Sequence, residues 1–552
     1  SDQDDVKSHN YWQKLNHTNL HTHGLHISGE EGADDVLTEI EPASLVDGEW
    51  RYQSLKYTYD ILDYHSPGTA WYHPHVHGNA ALQTGHFAAG IIIIDDEDDS
   101  FNLPSYIDDL QEIHLLVSHM QLEEVWEYGM QDCANSALMQ IANEGPEGSR
   151  LESIGPQGLL LVNGMTTPVI NIVAGQYYRV RTVMASALYA FNGILVGDNS
   201  GSCEARLLAK DSIYLFDPLR NVTRIVLWPG MRADIVFKCD DPGLVEVQSR
   251  NFTQPDALTR HVVSYLGPGW FFNVTEAPAS EEDRRDEGPL PAFTQQRPCY
   301  LVDTREIVGD EDRVVKKDII FDECTGVAPA EDEKIGDAVP HTYDVYPGTS
   351  PISEANNMTC GGIADNFFQA KNGLYCLNGC PYETGHRQRV FTPKFLEGGV
   401  LNVNSTDVFF EDEFGTACLT INDDQHLPGA SLIEWNTYGA DFHPVHFHVN
   451  PYQVVAANFS EGSQFEQFSI FYGRTQEEFE ELTGNFVNIG DYGDVVLKPL
   501  SWLTLHQQTD MFAGKMIVHC HILLHEDWGM IGAYDVQGDD GQHWPGAKEL
   551  DP

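Results

Sequence analysis

The chain has 552 residues, too long for one hydrophobic core, and its 41% hydrophobic and 11% aromatic content is enough to pack several units. Against 31 Lys and Arg stand 84 Asp and Glu, a formal net charge of −53, which argues against nucleic acid or an anionic membrane surface as partner. No apolar run approaches the roughly 20 residues of a membrane-spanning helix. Ile91 to Ile94 comes nearest, runs into Asp95, Asp96 and Glu97, and reads as a buried strand. The acidity either steers cationic substrates or simply solvates the surface.

Residues 14–27 alternate as a strand does, which puts His21 and His23 on one face. Tyr57 to Asp60 also alternates. A Ser66-Pro67-Gly68-Thr69 turn then leads into Trp71-Tyr72-His73-Pro74-His75-Val76-His77. His73 and His75 share parity, and Pro74, with no amide hydrogen to donate, places this segment at a sheet edge or strand end. Gly85 to Asp95 closes a first β unit near residue 105. From His114 to Tyr300 short strands recur between turn signals: Leu159 to Val162 before Asn163-Gly164, Val169 to Val173, Tyr177 to Val183, Ile213 to Phe216, Ile225 to Trp228 before Pro229-Gly230, and Ala233 to Phe237. This stretch carries no cluster of ligand-type side chains. Residues 276–290, rich in Pro, Glu, Asp and Arg, read as a linker or surface loop.

Strand patterns resume at Val314 to Phe321, cross a Cys-, Gly- and Asn-rich insertion at 356–385, and return at Val400 to Val403 and Ala417 to Ile421. Cys376 and Cys380 have a spacing that could hold zinc, but no second Cys/His pair matches, and a disulfide-stapled loop is the preferred reading. In Asp441-Phe442-His443-Pro444-Val445-His446-Phe447-His448-Val449, His446 and His448 share parity and His443 has the other. After Asp494 to Leu497 comes the densest stretch, His519-Cys520-His521-Ile522-Leu523-Leu524-His525, with Met530 beyond it. On a strand, His519 and His521 point one way and Cys520 the other. Short strands, regular turns and almost no helical periodicity predict an all-β protein of sandwiches or barrels. Three units fit the length, at 1–105, 106–304 and 305–552.

Thiolate, imidazole and a distant thioether are the ligand types of a blue copper site. Cys520, His525 and Met530 lack one imidazole of that set, and His443, by its parity, supplies it. His21, His23, His73, His75, His446, His448, His519 and His521 remain, too many for one further ion and suited to a cluster of three; the ligand set favours copper over zinc. Electrons entering singly on the Cys520 side would pass through the backbone to His519 and His521 and reduce dioxygen to water. One His-x-His pair by itself is more often a surface or structural feature; the repetition here is not coincidental. His9, His17, His26, His65, His77 and His86 lie nearby without matching spacing and are read as packing or supporting groups.

These stretches resemble the multicopper oxidases, the family of laccases, ferroxidases and bilirubin oxidases. The resemblance rests on His21-Thr22-His23-Gly24, Trp71-Tyr72-His73-Pro74-His75, His443-Pro444-Val445-His446-Phe447-His448, and His519-Cys520-His521 through His525 and Trp528-Gly529 to Met530, in the family's order. Leu161 to Gly164, Tyr178 to Arg181, Pro229 to Asp234 and Pro451 to Val454 also look like family strands and turns. The likeness weakens across 275–415. It implies three cupredoxin-like Greek-key domains, with an oxygen-reducing cluster between the first and last. It also implies four copper ions. One type-1 ion would be held by His443, Cys520, His525 and axial Met530, and a type-2 ion by His21 and His446. A type-3 pair would be held by His23, His73, His75, His448, His519 and His521. Family members usually carry more strands before the first His-x-His motif, so the first domain here is expected to be trimmed or incomplete.

Two kinds of acid draw attention. Glu526 resembles a carboxylate that delivers protons to the oxygen site in some relatives, and Asp34 or Asp35 is placed to orient a type-2 water. The partners expected are O2 and a small reductant, a phenol or aromatic amine in the laccase reading or Fe(II) or another metal ion in the ferroxidase reading, with the chain a monomer. A copper carrier or electron-transfer protein would need neither the further histidines nor the His-Cys-His bridge. Methionine, at 10, forms no Met-rich segment of the kind a dedicated Cu(I) oxidase would carry. Sequons at Asn16, Asn221, Asn251, Asn273, Asn357, Asn404 and Asn458, together with 10 cysteines, predict a secreted, disulfide-bonded glycoprotein. With Cys520 set aside as a ligand, an odd number of cysteines is left, so at least one lacks a partner within the chain.

Overall fold

The structure, a computed structural model, describes residues 16–95, 103–120, 159–250, 265–276, 290–310, 313–324, 374–377, 396–397, 400–401, 426–439, 443–458, 475–497, 502–527 and 529–547. Ala417 to Ile421, Cys380, most of the 276–290 linker and the sequons at Asn251, Asn357 and Asn404 lie outside the described residues.

The protein is all-β with cupredoxin-like layering. A three-stranded antiparallel sheet joins strands His21–His23, Gly68–His73 and Gly90–Ile94. Next come a five-stranded and a seven-stranded sheet, whose facing apolar sides meet in one core. Phe191, Val245 and Trp270 come from the first of these and Val180, Ile235 and Phe237 from the second. The last third repeats the plan: Ile433, Trp435 and Leu505 of a six-stranded sheet pack on Val445, Val518 and Cys520 of a five-stranded one. Two inner faces alternating with wetter outer ones is what short period-two strands dictate.

Several local expectations change. The strand expected over 14–27 shrinks to His21–His23, because Gly24 turns the chain at φ +94°. Tyr57 to Asp60 forms no strand; the Tyr57 hydroxyl instead accepts the Leu20 N–H at 3.0 Å. The Ile91–Ile94 run is half-buried rather than buried, since Gly90–Ile94 is the edge of its sheet. Strand Gly68–His73 stops before Pro74, so His75 lies past its end. Cys203 and Cys239 sit opposite one another on neighbouring strands and form a disulfide; among the described residues Cys299 is free and exposed, and Cys520 free and buried.

Two cross-strand pairs place the histidines. His21 lies opposite His73 in the first sheet, and His446 lies opposite His519 in the last. Each pairing fixes two imidazoles side by side without any loop to order.

Candidate metal centre

Cys520 ends strand Gly514–Cys520 and is fully buried. Its Sγ lies 3.3 Å from His443 Nδ1 and 3.7 Å from His525 Nδ1, and the two ring nitrogens are 3.2 Å apart. His525 stands on the short helix Leu523–Asp527. That helix is tied down by Asp527, whose carboxylate accepts the amides of Gly78, Ala80 and Ala81 at 2.7, 3.1 and 2.8 Å. Met530 is buried in the same core as Cys520, and its carbonyl accepts the Cys520 N–H at 3.1 Å. Burial drives the Cys520 thiol upward and holds the His525 ring down at about 3. A metal cation reverses that preference by deprotonating the thiol outright.

On the other face of the same strand end, eight histidines converge. His519 Nε2 lies 3.1 Å from His75 Nε2 and 3.2 Å from His448 Nε2. His521 Nε2 lies 3.1 Å from His23 Nδ1. His21 stacks on His448 and His23 on His446, with ring centroids 4.0 and 3.9 Å apart. His73 sits across from His21, its centroid 5.3 Å away. All eight are buried, and burial, with neighbouring rings adding to it, pushes their pKa values down, to about 4 for His75. They are therefore neutral, with lone pairs to give.

The tautomers are set by the chain. Nδ1 of His73 faces the Pro74 carbonyl at 2.9 Å, that of His446 the Asp494 carbonyl at 2.7 Å, that of His519 the Cys520 carbonyl at 2.9 Å, and that of His21 the Asp34 carboxylate at 2.7 Å. Each acceptor calls for the hydrogen on Nδ1, which leaves Nε2 as the lone-pair nitrogen. Nε2 of His21, His73 and His446 is buried with no hydrogen-bond partner. Orphaned buried nitrogens are rare, and a metal ion is the partner that satisfies several at once. The groups His75-His448-His519, His21-His446-His448, His21-His23-His73 and His443-Cys520-His525 each bring their ligand atoms within 4.8 Å of one another. The residues present fit copper, by donor type and by these unsatisfied atoms.

The carboxylates sort themselves. Asp34 is buried, takes the Thr22 N–H at 2.8 Å and its hydroxyl at 3.0 Å, and orients the His21 ring rather than sitting free beside the cluster. Asp35 turns away: Lys515 Nζ meets it at 2.6 Å and the Thr38 hydroxyl at 3.0 Å, so the expected alternative at this position is not brought to the histidines. Glu526 is fully buried, with no hydrogen bond to either oxygen; His77 Nδ1 and His75 Nδ1 lie 3.7 and 3.8 Å off. Burial therefore raises its carboxyl well above the ordinary range.

Sequence reasoning missed Asp494 and Arg232. Asp494 Oδ1 lies 3.1 Å from His23 Nε2, and Arg232 holds both its oxygens. Gly230, at φ +88°, lies so close to the His521 ring that a Cβ there would sit 2.7 Å from Cδ2. Among the described residues the middle of the chain supplies none of the ligands named above, yet it shapes the cluster at two points. Turn signals marked Pro229-Gly230, and Asp494 was read only as the start of the stretch before the last cluster; nothing in either segment pointed to the other.

Known proteins give the same answer. Family models for multicopper oxidases match residues 2–99 and 415–540. Laccase-4 of Thanatephorus cucumeris is 28% identical over 193 residues, 34% of this chain and 33% of that protein, so the match spans a third of the relative's length. A multicopper oxidase from Campylobacter jejuni, described as a metallo-oxidase, superposes with a TM-score of 0.54 at 16% identity, over 95% of this chain and 81% of that one. McoA from Aquifex aeolicus gives 0.54 and 16%, over 95% and 85%. These structural likenesses are likenesses of fold; the matched segments carry the histidine motifs. With the ligand geometry, they support assigning the chain to the multicopper oxidase family.

Proposed function

We propose that this protein is a copper-dependent oxidase that takes electrons one at a time from a phenol or aromatic amine, as a laccase does, and reduces dioxygen to water. The observation that carries this reading is the position of Cys520. Its sulfur faces His443 and His525, while its covalent neighbours His519 and His521 face His75, His448 and His23. In this reading His443, Cys520 and His525, with Met530, would hold a type-1 copper, and His21 and His446 would hold a type-2 copper. His23, His73, His75, His448, His519 and His521 would hold a type-3 pair. Bound copper supplies the one-electron steps and the oxygen reduction that imidazole and thiol alone do not offer.

The chain does the rest. The peptide bonds on either side of Cys520 form an unbroken covalent path from the donor side to the oxygen side. Burial keeps the histidines neutral. Glu526, held protonated by burial, stands beside His75 and His77 as a proton donor for oxygen reduction. The units 1–105, 106–304 and 305–552 would be three cupredoxin domains, with the oxygen site between the first and last. Export from the cell fits the Cys203–Cys239 disulfide and the exposed sequons Asn16 and Asn221.

A second reading, oxidation of Fe(II) or another metal ion, draws on the net charge of −53 and on the description of the Campylobacter jejuni neighbour as a metallo-oxidase. Oxygen uptake by the copper-loaded protein with a substituted phenol, Fe(II) and Mn(II) in parallel separates the two. The laccase-like reading expects the phenol to be fastest, and a strong preference for Fe(II) overturns it. No uptake with any donor at full copper loading overturns the oxidase reading altogether.

A further inference from the structure

His26 lies three residues past His23, outside the ligand groups named above, and is buried. Its Nδ1 faces the Val449 carbonyl at 2.9 Å and its Nε2 faces Asp510 Oδ2 at 3.2 Å. Both partners accept and neither donates when Asp510 is ionised. A neutral imidazole has one N–H and cannot serve two acceptors. The Val449 carbonyl, the nearer of the two acceptors, takes it.

What this proton secures is a strained turn. Val449 has φ +67°, a backbone conformation that β-branched residues avoid, and the Asn450 N–H closes back on the His448 carbonyl at 2.7 Å. That is the uncommon, strained form of γ-turn, and it begins at a candidate ligand. The turn is gripped from outside: His26 donates to the Val449 carbonyl, and Gln507 Nε2 donates to the Asn450 carbonyl at 2.6 Å. His26, Val449, His446 and His448 also line one cavity of about 20 Å³, enough for a single water.

Other titratable groups pack here. His65 accepts the His26 N–H through Nε2 and donates from Nδ1 to the Ser66 carbonyl, and burial holds it down at about 4. Tyr300 stacks on the His26 ring at 4.3 Å, and burial raises its phenol and that of Tyr64, which faces Asp510 and Cys299. His543, a third exposed (36%), meets Asp510 Oδ1 at 2.7 Å and links the pair to solvent.

We propose that His26 is a positioning residue of the oxygen-side copper centre: its ring N–H holds the left-handed turn at Val449, and that turn aims His448. The inference rests on the copper reading of that histidine.

Chelator-driven copper loss, read as copper per chain, tests it on the copper-loaded protein. His26→Gln reaches Asp510 but not the Val449 carbonyl, and is expected to lose copper about tenfold faster than wild type, the usual effect of removing a ligand's supporting partner. His26→Asn places an amide N–H near the Nδ1 position and should stay close to wild type. Far-UV dichroism of the metal-free variants checks that each folds. Equal copper loss from His26→Gln and His26→Asn overturns the proposal. Oxygen uptake is a separate readout: a fully loaded wild type that consumes no oxygen defeats the oxidase reading and leaves the chelation comparison standing.

Discussion

Arg232 clamps Asp494 with two N–H donors at 2.6 and 2.7 Å, and Asp494 in turn lies 3.1 Å from His23. The same guanidinium reaches Asp211 at 3.4 Å and is fully buried. One cation thus joins a strand of the middle sheets to the first and last parts of the chain, at the edge of the histidine cluster. Gly24 is part of this joint: at φ +94° it lies against the Arg232 guanidinium, which a Cβ there would overlap.

Arg232→Met should therefore damage stability and site together. It leaves Asp494 and Asp211 buried without their countercharge, which costs about 3–5 kcal/mol. Denaturant unfolding of the metal-free protein checks the first effect and copper stoichiometry after reconstitution the second. A loss below about 1 kcal/mol would show the clamp to be dispensable.

Cys520→Ser should abolish the intense visible absorption of the loaded protein and the donor-driven oxygen uptake. The eight-histidine side does not depend on the sulfur and should still take up copper, read by metal analysis. Retained turnover with a phenol would mean that electrons reach the oxygen side by another route.

Glu526→Gln keeps the shape and removes the proton. Oxygen uptake should fall by about a hundredfold or more, the usual scale of a general-acid contribution, and its pH profile should change. Glu526 has no hydrogen bond to lose, so the metal-free melting temperature should move little. An unchanged rate and profile would exclude Glu526 as proton donor.

The metal-free protein should lose stability on mild acidification. His21, His23, His73, His75, His446, His448, His519, His521 and His525 all bind a proton less readily folded than at the ordinary value of 6.5, down to about 4 for His75 and about 3 for His525. Below that value the unfolded chain takes up more protons than the folded one. Their contribution is thus complete above about pH 6.5 and is lost as the pH falls, at about 1.4 kcal/mol for every tenfold weakening of proton binding. The buried acids Asp34, Asp211, Asp494, Glu526 and Asp527, raised by burial, act in the opposite sense, losing stability as pH rises, but the nine histidines outnumber them. Calorimetry should show the melting temperature falling from about pH 7 to about pH 5, and copper should blunt the fall.

The ligand types and most of the cluster were legible in the sequence because strand parity is local: Cys520 between His519 and His521 needs only period two. The all-β layering followed from the same rule. What the sequence hid was contact across it. His75 lies past the end of its strand, so parity alone did not place it. Asp494 and Arg232 lie 262 positions apart, and each reads as an ordinary strand residue until the sheets pack. Asp34 and Asp35 are adjacent and alike in type; only Lys515, arriving 480 positions later, draws one of them away.

His23 and His521 meet across 498 positions. Closing so long a loop adds entropy only logarithmically with its length, so the fold can bear it, yet no nascent chain that stops short of His521 can complete the cluster. Metal occupancy of the oxygen side is in effect a receipt for finished synthesis. Truncated products, however well their early sheets fold, would leave the ribosome unable to gather copper into a reactive centre.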